Sequence, residues 1–155
     1  MRKFLILLSL LLASAAAQAG DLPYNEKADA KAELQQTLAA AQQSHQPVLL
    51  ILGANWCEDC RALDAALKTG KSAELLAREF KVVKVDVGNF DHNLDIDAVY
   101  GHPIAKGIPA AVVLSSDNQV IYATRAGELA DARRMSETGI YDFFERVSKV
   151  GRDAK

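Results

Sequence analysis

The fold of this 155-residue chain can be worked out from one segment, Gly53-Ala54-Asn55-Trp56-Cys57-Glu58-Asp59-Cys60-Arg61. A continuous apolar run over residues 48–52 precedes it, between Pro47 and Gly53. Such a run is typical of a strand that is buried on both faces. Residues 57–68 have helical periodicity, so the two cysteines are predicted to lie where a strand passes into a helix.

A Cys-x-x-Cys pair at this position indicates redox chemistry. Unpaired backbone N–H groups and the helix dipole favour negative charge at a helix N-terminus, which lowers the pKa of the first thiol. We therefore expect Cys57 to be the nucleophile. Cys60, one turn further on, is placed to resolve a mixed disulfide. No other cysteines are present, and a bridge closing so small a loop adds little stability.

The three neighbours of the cysteines modify this chemistry. We expect Trp56 to shield one side of the pair and to offer a flat apolar surface to a partner. Glu58 and Asp59 suit a first helical turn, yet their charge raises the pKa of a nearby thiol. This favours a less oxidising couple, and hence reduction or isomerisation of disulfides. The alternative is that the two acids only stabilise the helix.

The first residues are predicted to be a signal peptide. Arg2 and Lys3 precede an apolar run over residues 4–17, and Ala17-Gln18-Ala19 provides a cleavage site. We expect residues 1–19 to be removed, leaving residues 20–155 as a single periplasmic or secreted domain without stable membrane insertion. An uncleaved anchor is the alternative, but the run is short for a membrane span.

The composition is that of an ordinary globular protein, with 50% hydrophobic and 25% charged residues. The formal net charge is −2 and the basic residues are scattered, which argues against a nucleic-acid partner. Periodicity predicts the order helix, strand, helix, strand, helix, strand, strand, helix. A further short helix is predicted over residues 72–80. The other predicted helices and strands include residues 26–44, 48–52, 57–68, 82–85, 94–100, 110–114, 119–124 and 136–150. Alternating strands and helices followed by a hairpin indicate an α/β fold with a mixed sheet.

These segments resemble the thioredoxin superfamily, in particular its exported members and the periplasmic domains that relay electrons from a membrane reductase. Residues 53–61 are similar to the active-site segment of the family, and Lys84-Val85-Asp86-Val87 to its central strand. Gly107-Ile108-Pro109 is similar to its Gly-Ile-Pro loop. The resemblance covers residues 48–127 and implies a thioredoxin-like fold: a central mixed β-sheet flanked by helices, with an N-terminal helical extension.

The resemblance also implies roles for the loop. In that family the proline peptide is cis, and such bonds are uncommon. A cis Pro109 would place the backbone of Ile108 beside the dithiol, free to pair with an extended substrate segment. An ordinary trans proline at the start of a strand is the alternative.

This sequence departs from the family pattern at two places near the cysteines, which bears on how the Cys60 thiol loses its proton. Glu58-Asp59 stands where typical thioredoxins have Gly-Pro, and Ile51 stands where the family has a buried acid. Lys84 matches the lysine that usually neighbours that acid. The proton acceptor for Cys60 is therefore open, with water, Lys84 and Glu58 as candidates.

Together these features predict an exported thiol–disulfide oxidoreductase that reduces or isomerises disulfides in partner proteins. No flavin or nicotinamide motif is present, so we expect no cofactor beyond the Cys57–Cys60 disulfide. Electrons would come from a membrane or soluble thiol donor. We expect a monomer.

Two other functions are compatible with the residues. The cysteines together with His92 or His102 could form a zinc or copper site, although neither a second Cys-x-x-Cys nor a His-x-x-His spacing supports it. We expect no metal. The other alternative is a binding or chaperone module on the same fold, in which the dithiol has no redox role.

Overall fold

The structure is a computed structural model that describes residues 22–153, with side chains described to residue 150. The expected signal peptide at residues 1–19 lies outside the described residues. Within them, no helix combines the length and the apolar character that a membrane crossing requires.

The described part of the chain contains five helices and four strands. The helices are α1 (Ala30–Ser44), α2 (Glu58–Leu67), α3 (Gly70–Glu79), α4 (Leu94–Val99) and α5 (Glu137–Asp153), and the strands are β1 (Val48–Gly53), β2 (Lys81–Asp86), β3 (Ala110–Leu114) and β4 (Val120–Ala123). Two short 3-10 turns, Pro103–Lys106 and Ala132–Arg134, lie before β3 and α5. The predicted elements are confirmed, including the further short helix before β2, although α3 begins at Gly70 and not at residue 72.

The sheet is mixed and has the order β2-β1-β3-β4. β1 is parallel to β2 and antiparallel to β3, and β3 and β4 form the predicted antiparallel hairpin. β1 is a central strand, and all six of its residues are buried. The next segment of chain, which carries the cysteines, therefore emerges from the middle of the sheet at the carboxyl end of β1.

Helices cover both faces of the sheet. Alternate β1 residues Leu50 and Leu52 belong to a core that includes Leu34 of α1 and both cysteines. Leu49 and Ile51 point to the opposite core, which contains residues of α2, α3 and α5, with Phe144 of α5 fully buried. This division follows from the period of two in a strand.

The N-terminal helix is shorter than expected. The prediction began it at residue 26, whereas α1 begins at Ala30. Asp29 is its N-cap, and the Asp29 side chain accepts a hydrogen bond from the Ala32 N–H at 3.0 Å. An aspartate in this position satisfies a backbone donor that has no partner inside the helix, so the helix begins after it. Residues 22–28 form a lead-in before α1, and this lead-in contacts Asn55 in the segment that carries the cysteines.

Candidate functional site

The two cysteines are joined by a disulfide, with 5.2 Å between their Cα atoms. Cys57 is the N-cap of α2, and its Sγ accepts a hydrogen bond from the Cys60 N–H at 3.1 Å. Both residues are buried. The predicted position at the start of a helix is therefore confirmed, and the Cys60 N–H is a backbone donor of the kind that stabilises a thiolate.

The loop before β3 lies against Cys57. The Ile108–Pro109 peptide bond is cis, as the family resemblance implies. The carbonyl oxygen of Ile108 is 3.6 Å from Cys57 Sγ. Among residues 22–153, the Ile108 amide has no hydrogen-bond partner. A backbone donor is thus left available beside the disulfide, as pairing with an extended peptide requires.

Trp56 is held beside the disulfide. Its indole Nε1–H donates to the Gly88 carbonyl at 2.8 Å, and its ring meets that of Phe90 edge to face, with 6.1 Å between centroids. Both rings remain largely exposed, Trp56 by 53% and Phe90 by 45%. Two exposed aromatic rings fixed against each other form an apolar surface next to Cys57, where a partner would make contact.

Glu58 and Asp59 are both bonded to one arginine. Arg133 lies in the 3-10 turn Ala132–Arg134, and its guanidinium pairs with the Glu58 carboxylate. The Arg133 backbone N–H donates to Asp59 Oδ1 at 3.0 Å, and the Arg133 Nε is 3.8 Å from the same oxygen. The negative charge that the sequence places beside Cys57 is therefore partly offset by a cation that is distant in the chain.

Lys84 is engaged by a carboxylate from α2. Its ammonium group bonds Asp64, whose other oxygen is 2.8 Å from Lys68 Nζ. Asp64 is buried and follows Cys60 by four residues, on the same side of α2. Ile51, at the usual place of the family's buried acid, is paired with Lys84 in the sheet. The buried acid near Lys84 is thus supplied by a helix and not by the strand.

Asn55 ties the dithiol loop to the lead-in. Its Oδ1 accepts from the Tyr24 N–H at 2.9 Å, and its Nδ2 donates to the Tyr24 carbonyl at 2.9 Å and to Glu26 Oε1 at 2.8 Å. The Asn55 carbonyl accepts from Arg61 Nη1 at 2.7 Å. The residues on both sides of Trp56 and Cys57 are therefore fixed.

The structure brings most of the predicted site residues to one groove. Its lining includes Trp56, Cys57, Glu58, Asp59, Phe90, Gly107, Ile108, Ala130 and Arg133. Cys60, Pro109 and Lys84 are not part of this lining: Cys60 is buried behind Cys57, Pro109 follows Ile108, and Lys84 bonds Asp64. The sequence analysis missed three residues of this site. Asn55 could have been noticed, because it lies within the active-site segment, residues 53–61. Asp64 and Arg133 could not, because their roles depend on partners far away in the chain.

Metal ligands do not converge in the described part of the chain. Between residues 22 and 153, no three His, Cys, Asp or Glu side chains are grouped as a metal site would require. His92 is 2.7 Å from Asp91 and His102 is 2.9 Å from Asp97, in each case from Nδ1 to a carboxylate oxygen. Both histidines thus have acidic partners nearby in the chain, Asp91 in the same loop as His92 and Asp97 in α4.

Comparisons with known proteins agree with this geometry. A family model described as thioredoxin-like matches residues 29–116. A solved structure titled as a disulphide isomerase from Xylella fastidiosa Temecula1 is 55% identical in sequence. That alignment covers 83% of this chain and 98% of the other, with a TM-score of 0.81.

More distant structures share the fold. A thioredoxin from Thermus thermophilus is 17% identical, with a TM-score of 0.57 and coverage of 78% of this chain and 88% of the other. A structure titled DsbH oxidoreductase is 16% identical, with a TM-score of 0.59 and coverage of 93% and 94%. No curated protein sequence gave a significant match.

Proposed function

Since this chain belongs to the thioredoxin superfamily of thiol–disulfide oxidoreductases, we propose that it is exported and that it reduces or isomerises the disulfides of partner proteins. The observation that carries the proposal is the position of Cys57. Its sulfur caps α2, is bonded to Cys60, and lies 3.6 Å from the Ile108 carbonyl beside an open groove.

The proposed reaction uses the two thiols in turn. The Cys57 thiolate attacks one sulfur of a substrate disulfide, that S–S bond breaks, and the other substrate sulfur leaves and takes up a proton. Cys60 then loses its proton and attacks Cys57 Sγ, which breaks the mixed disulfide and releases the second substrate thiol. Two electrons have passed to the substrate, and Cys57–Cys60 is oxidised. In isomerisation a substrate thiol attacks the mixed disulfide first, and the dithiol is regenerated.

The groove fits an extended, partly apolar polypeptide. The free Ile108 amide can pair with a substrate carbonyl, as in strand addition. Trp56 and Phe90 provide an apolar wall on one side. Glu58, Asp59 and Arg133 provide charged groups at another part of the lining. These features favour a protein as the substrate over a small thiol compound.

The proposed direction rests on similarity and on charge. The 55% identical structure is titled a disulphide isomerase. Glu58 and Asp59 disfavour a thiolate at Cys57, which favours a less oxidising couple. Arg133 offsets part of that charge, so we expect a potential between those of a strong reductant and a strong oxidant. Electrons would be supplied by a membrane or soluble thiol protein, because the chain has no flavin or nicotinamide motif.

Trapping tests the assignment of the two cysteines. In Cys60→Ser, Cys57 can attack but the mixed disulfide cannot be resolved, so partner proteins should accumulate as reductant-sensitive adducts. Cys57→Ser is the matched control and should trap far less. Equal trapping by the two variants, or none by either, would contradict the proposed roles.

A redox titration tests the direction. The single tryptophan, Trp56, adjoins the disulfide and should report its state by fluorescence. A two-electron transition between roughly −270 mV and −180 mV supports a reductant or an isomerase. A value near about −120 mV would reverse the proposed direction, and the lack of any reversible transition would remove the redox function.

A further inference from the structure

We propose that the hydroxyl of Tyr24 is the hydrogen-bond donor to the Cys60 thiolate, in place of the buried acid that this chain lacks at Ile51. The inference deepens the proposed function and rests on it, since it concerns the step in which Cys60 acts. Tyr24 lies in the lead-in before α1, outside the residues that the thioredoxin-like family model matches.

Gly53 shows how closely the phenol and the sulfur approach each other. A Cβ atom on Gly53 would collide with the Tyr24 hydroxyl and would lie 2.8 Å from Cys60 Sγ. The hydroxyl and the sulfur therefore occupy the same small space beside the last residue of β1. Tyr24 is 4% exposed and Cys60 is 1% exposed, so bulk water has little access to the sulfur from this side.

The lead-in is held in this position from the dithiol loop itself. Asn55, two residues before Cys57, makes hydrogen bonds to both the N–H and the carbonyl of Tyr24. The Tyr24 backbone is therefore fixed relative to the cysteines, and burial of the side chain keeps the phenol beside Cys60. Within residues 22–153 its hydroxyl has no hydrogen-bond partner in the oxidised protein. Breaking the S–S bond frees Cys60 Sγ to turn and accept from it.

The phenol acts as a donor and not as a base. Burial, followed by the negative charges of Asp64 and Asp86, raises the pKa of Tyr24 well above its ordinary value. The hydroxyl therefore keeps its proton and can donate to a thiolate. The proton that Cys60 loses passes to water or to the leaving substrate thiolate. When the disulfide is reduced by a donor, Cys60 is the leaving group, and the same hydrogen bond stabilises it.

Other charged groups surround the pair and stay unchanged in the test. Asp64 is held by Lys84 and Lys68, and Asp86 accepts from the Gly88 N–H. Asp64 and Asp86 are the charges that act on the Tyr24 phenol. Glu26, Asp91 and His92 act in turn on Asp86. Arg61 bonds the Asn55 carbonyl, and Glu58, Asp59 and Arg133 lie beside Cys57 in the groove.

The test follows each thiol separately in the chain from Gly20 onward. Reduced protein is mixed with a chromophoric aromatic disulfide. A first phase reports attack by Cys57, and a second phase reports release of the second chromophore by Cys60. Tyr24→Phe removes the hydroxyl and keeps the ring. Tyr100→Phe is the matched control, because Tyr100 is equally buried and its hydroxyl bonds Asn118.

The expected result for Tyr24→Phe is a second phase that is slower than in the wild type at neutral pH and faster at high pH. At a pH below the pKa of the Cys60 thiol, loss of one hydrogen bond to the ionised sulfur reduces the fraction of thiolate about tenfold. The thiolate that remains is about threefold more nucleophilic, because its pKa is higher. The second phase should thus be about threefold slower at pH 7 and about threefold faster once Cys60 is fully ionised. The first phase and the Tyr100→Phe variant should match the wild type.

Several outcomes would overturn the inference. An unchanged pH profile in Tyr24→Phe would do so, and so would a uniform slowing at every pH, which indicates a structural role. Loss of the second phase in the wild type would instead refute the proposed redox function. If Tyr24→Phe does not fold, carbon NMR of tyrosine-labelled, reduced wild type replaces it. The Tyr24 Cζ resonance should move as Cys60 titrates and should stay still in Cys60→Ser; an unmoved resonance in the wild type refutes the proposal.

Discussion

Gly53→Ala is the substitution for which the structure makes the sharpest stability prediction. The new Cβ would overlap the Tyr24 hydroxyl and would lie 2.6 Å from Tyr24 Cζ and 2.8 Å from Cys60 Sγ. Ordinary carbon contacts need at least about 3.5 Å. Both neighbours are buried and neither can move aside freely: Tyr24 is tied to Asn55, and Cys60 lies in α2.

The expected loss of stability is that of an overpacked core. Inserting a methyl group into a filled site costs about 2–3 kcal/mol when neighbouring groups must shift. With an unfolding entropy of about 2.1 cal/mol/K per residue over roughly 130 residues, this lowers the melting temperature by roughly 9 °C. Replacing glycine in a strand also recovers about 0.5–1 kcal/mol, because the unfolded chain loses conformational freedom, so the net fall in melting temperature is about 6 °C.

Thermal unfolding followed by circular dichroism measures this effect, with urea unfolding as a second measurement. Gly139→Ala is the matched control, because Gly139 lies in the first turn of α5 and its Cβ would meet only the Ser136 hydroxyl at 3.2 Å. Alanine favours a helix, but the Ser136 hydroxyl, which accepts from the Gly139 N–H, has to shift slightly, so this control should stay within about 1 kcal/mol of the wild type. If Gly53→Ala melts within about 2 °C of the wild type, the space beside Cys60 is not filled as described.

Two further predictions concern charge. Arg133→Gln leaves Glu58 unpaired near Cys57, so the reduced form of the protein is less stabilised. The reduction potential should therefore become more negative by on the order of 10 mV. Equilibration with glutathione, followed by thiol trapping, measures this shift. Glu58→Gln should move the potential in the opposite direction, and equal shifts of the same sign would contradict this account. The hydrogen bond to Asp91, and then the charge of Asp91, raise the pKa of His92. The stability that this pair contributes is therefore complete below the pKa of histidine in the unfolded chain, about 6.5. It is lost as the pH rises through the higher pKa of the folded protein. His92→Asn should therefore lower the melting temperature more at pH 5 than at pH 9, and a larger loss at pH 9 would show that the sign is wrong.

Local patterns accounted for the elements and for the dithiol. The apolar run at residues 48–52, bounded by Pro47 and Gly53, could only be buried as a short strand or helix segment, and its length favoured the strand. The cysteines follow it directly, so their place at the start of α2 was a matter of neighbouring residues. The cis peptide before Pro109 came from the family resemblance, since spacing alone does not distinguish cis from trans.

Contacts across the fold were beyond the reach of such patterns. The lead-in around Tyr24 has no periodicity, and nothing near it in the chain shows that it pairs with Asn55, 31 residues later. Arg133 reaches Glu58 across 75 positions. Lys84 was recognised from its strand, but its partner Asp64 comes from a helix. Each of these pairs depends on how strands and helices pack, and on which side chains then share one small space.

The sequence was therefore sufficient for the reactive pair and for the α/β architecture, because backbone preferences, side-chain periodicity and the chemistry of a thiol at a helix N-terminus act over a few residues. The surroundings of that pair were settled by tertiary packing. The phenol beside Cys60, the arginine on the two acids and the carboxylate at Lys84 come from segments that meet only when β1 is enclosed on both faces. Charge and hydrogen bonding at a buried sulfur depend on these distant groups, because within a low-dielectric core any nearby donor or charge acts strongly, wherever it stands in the chain.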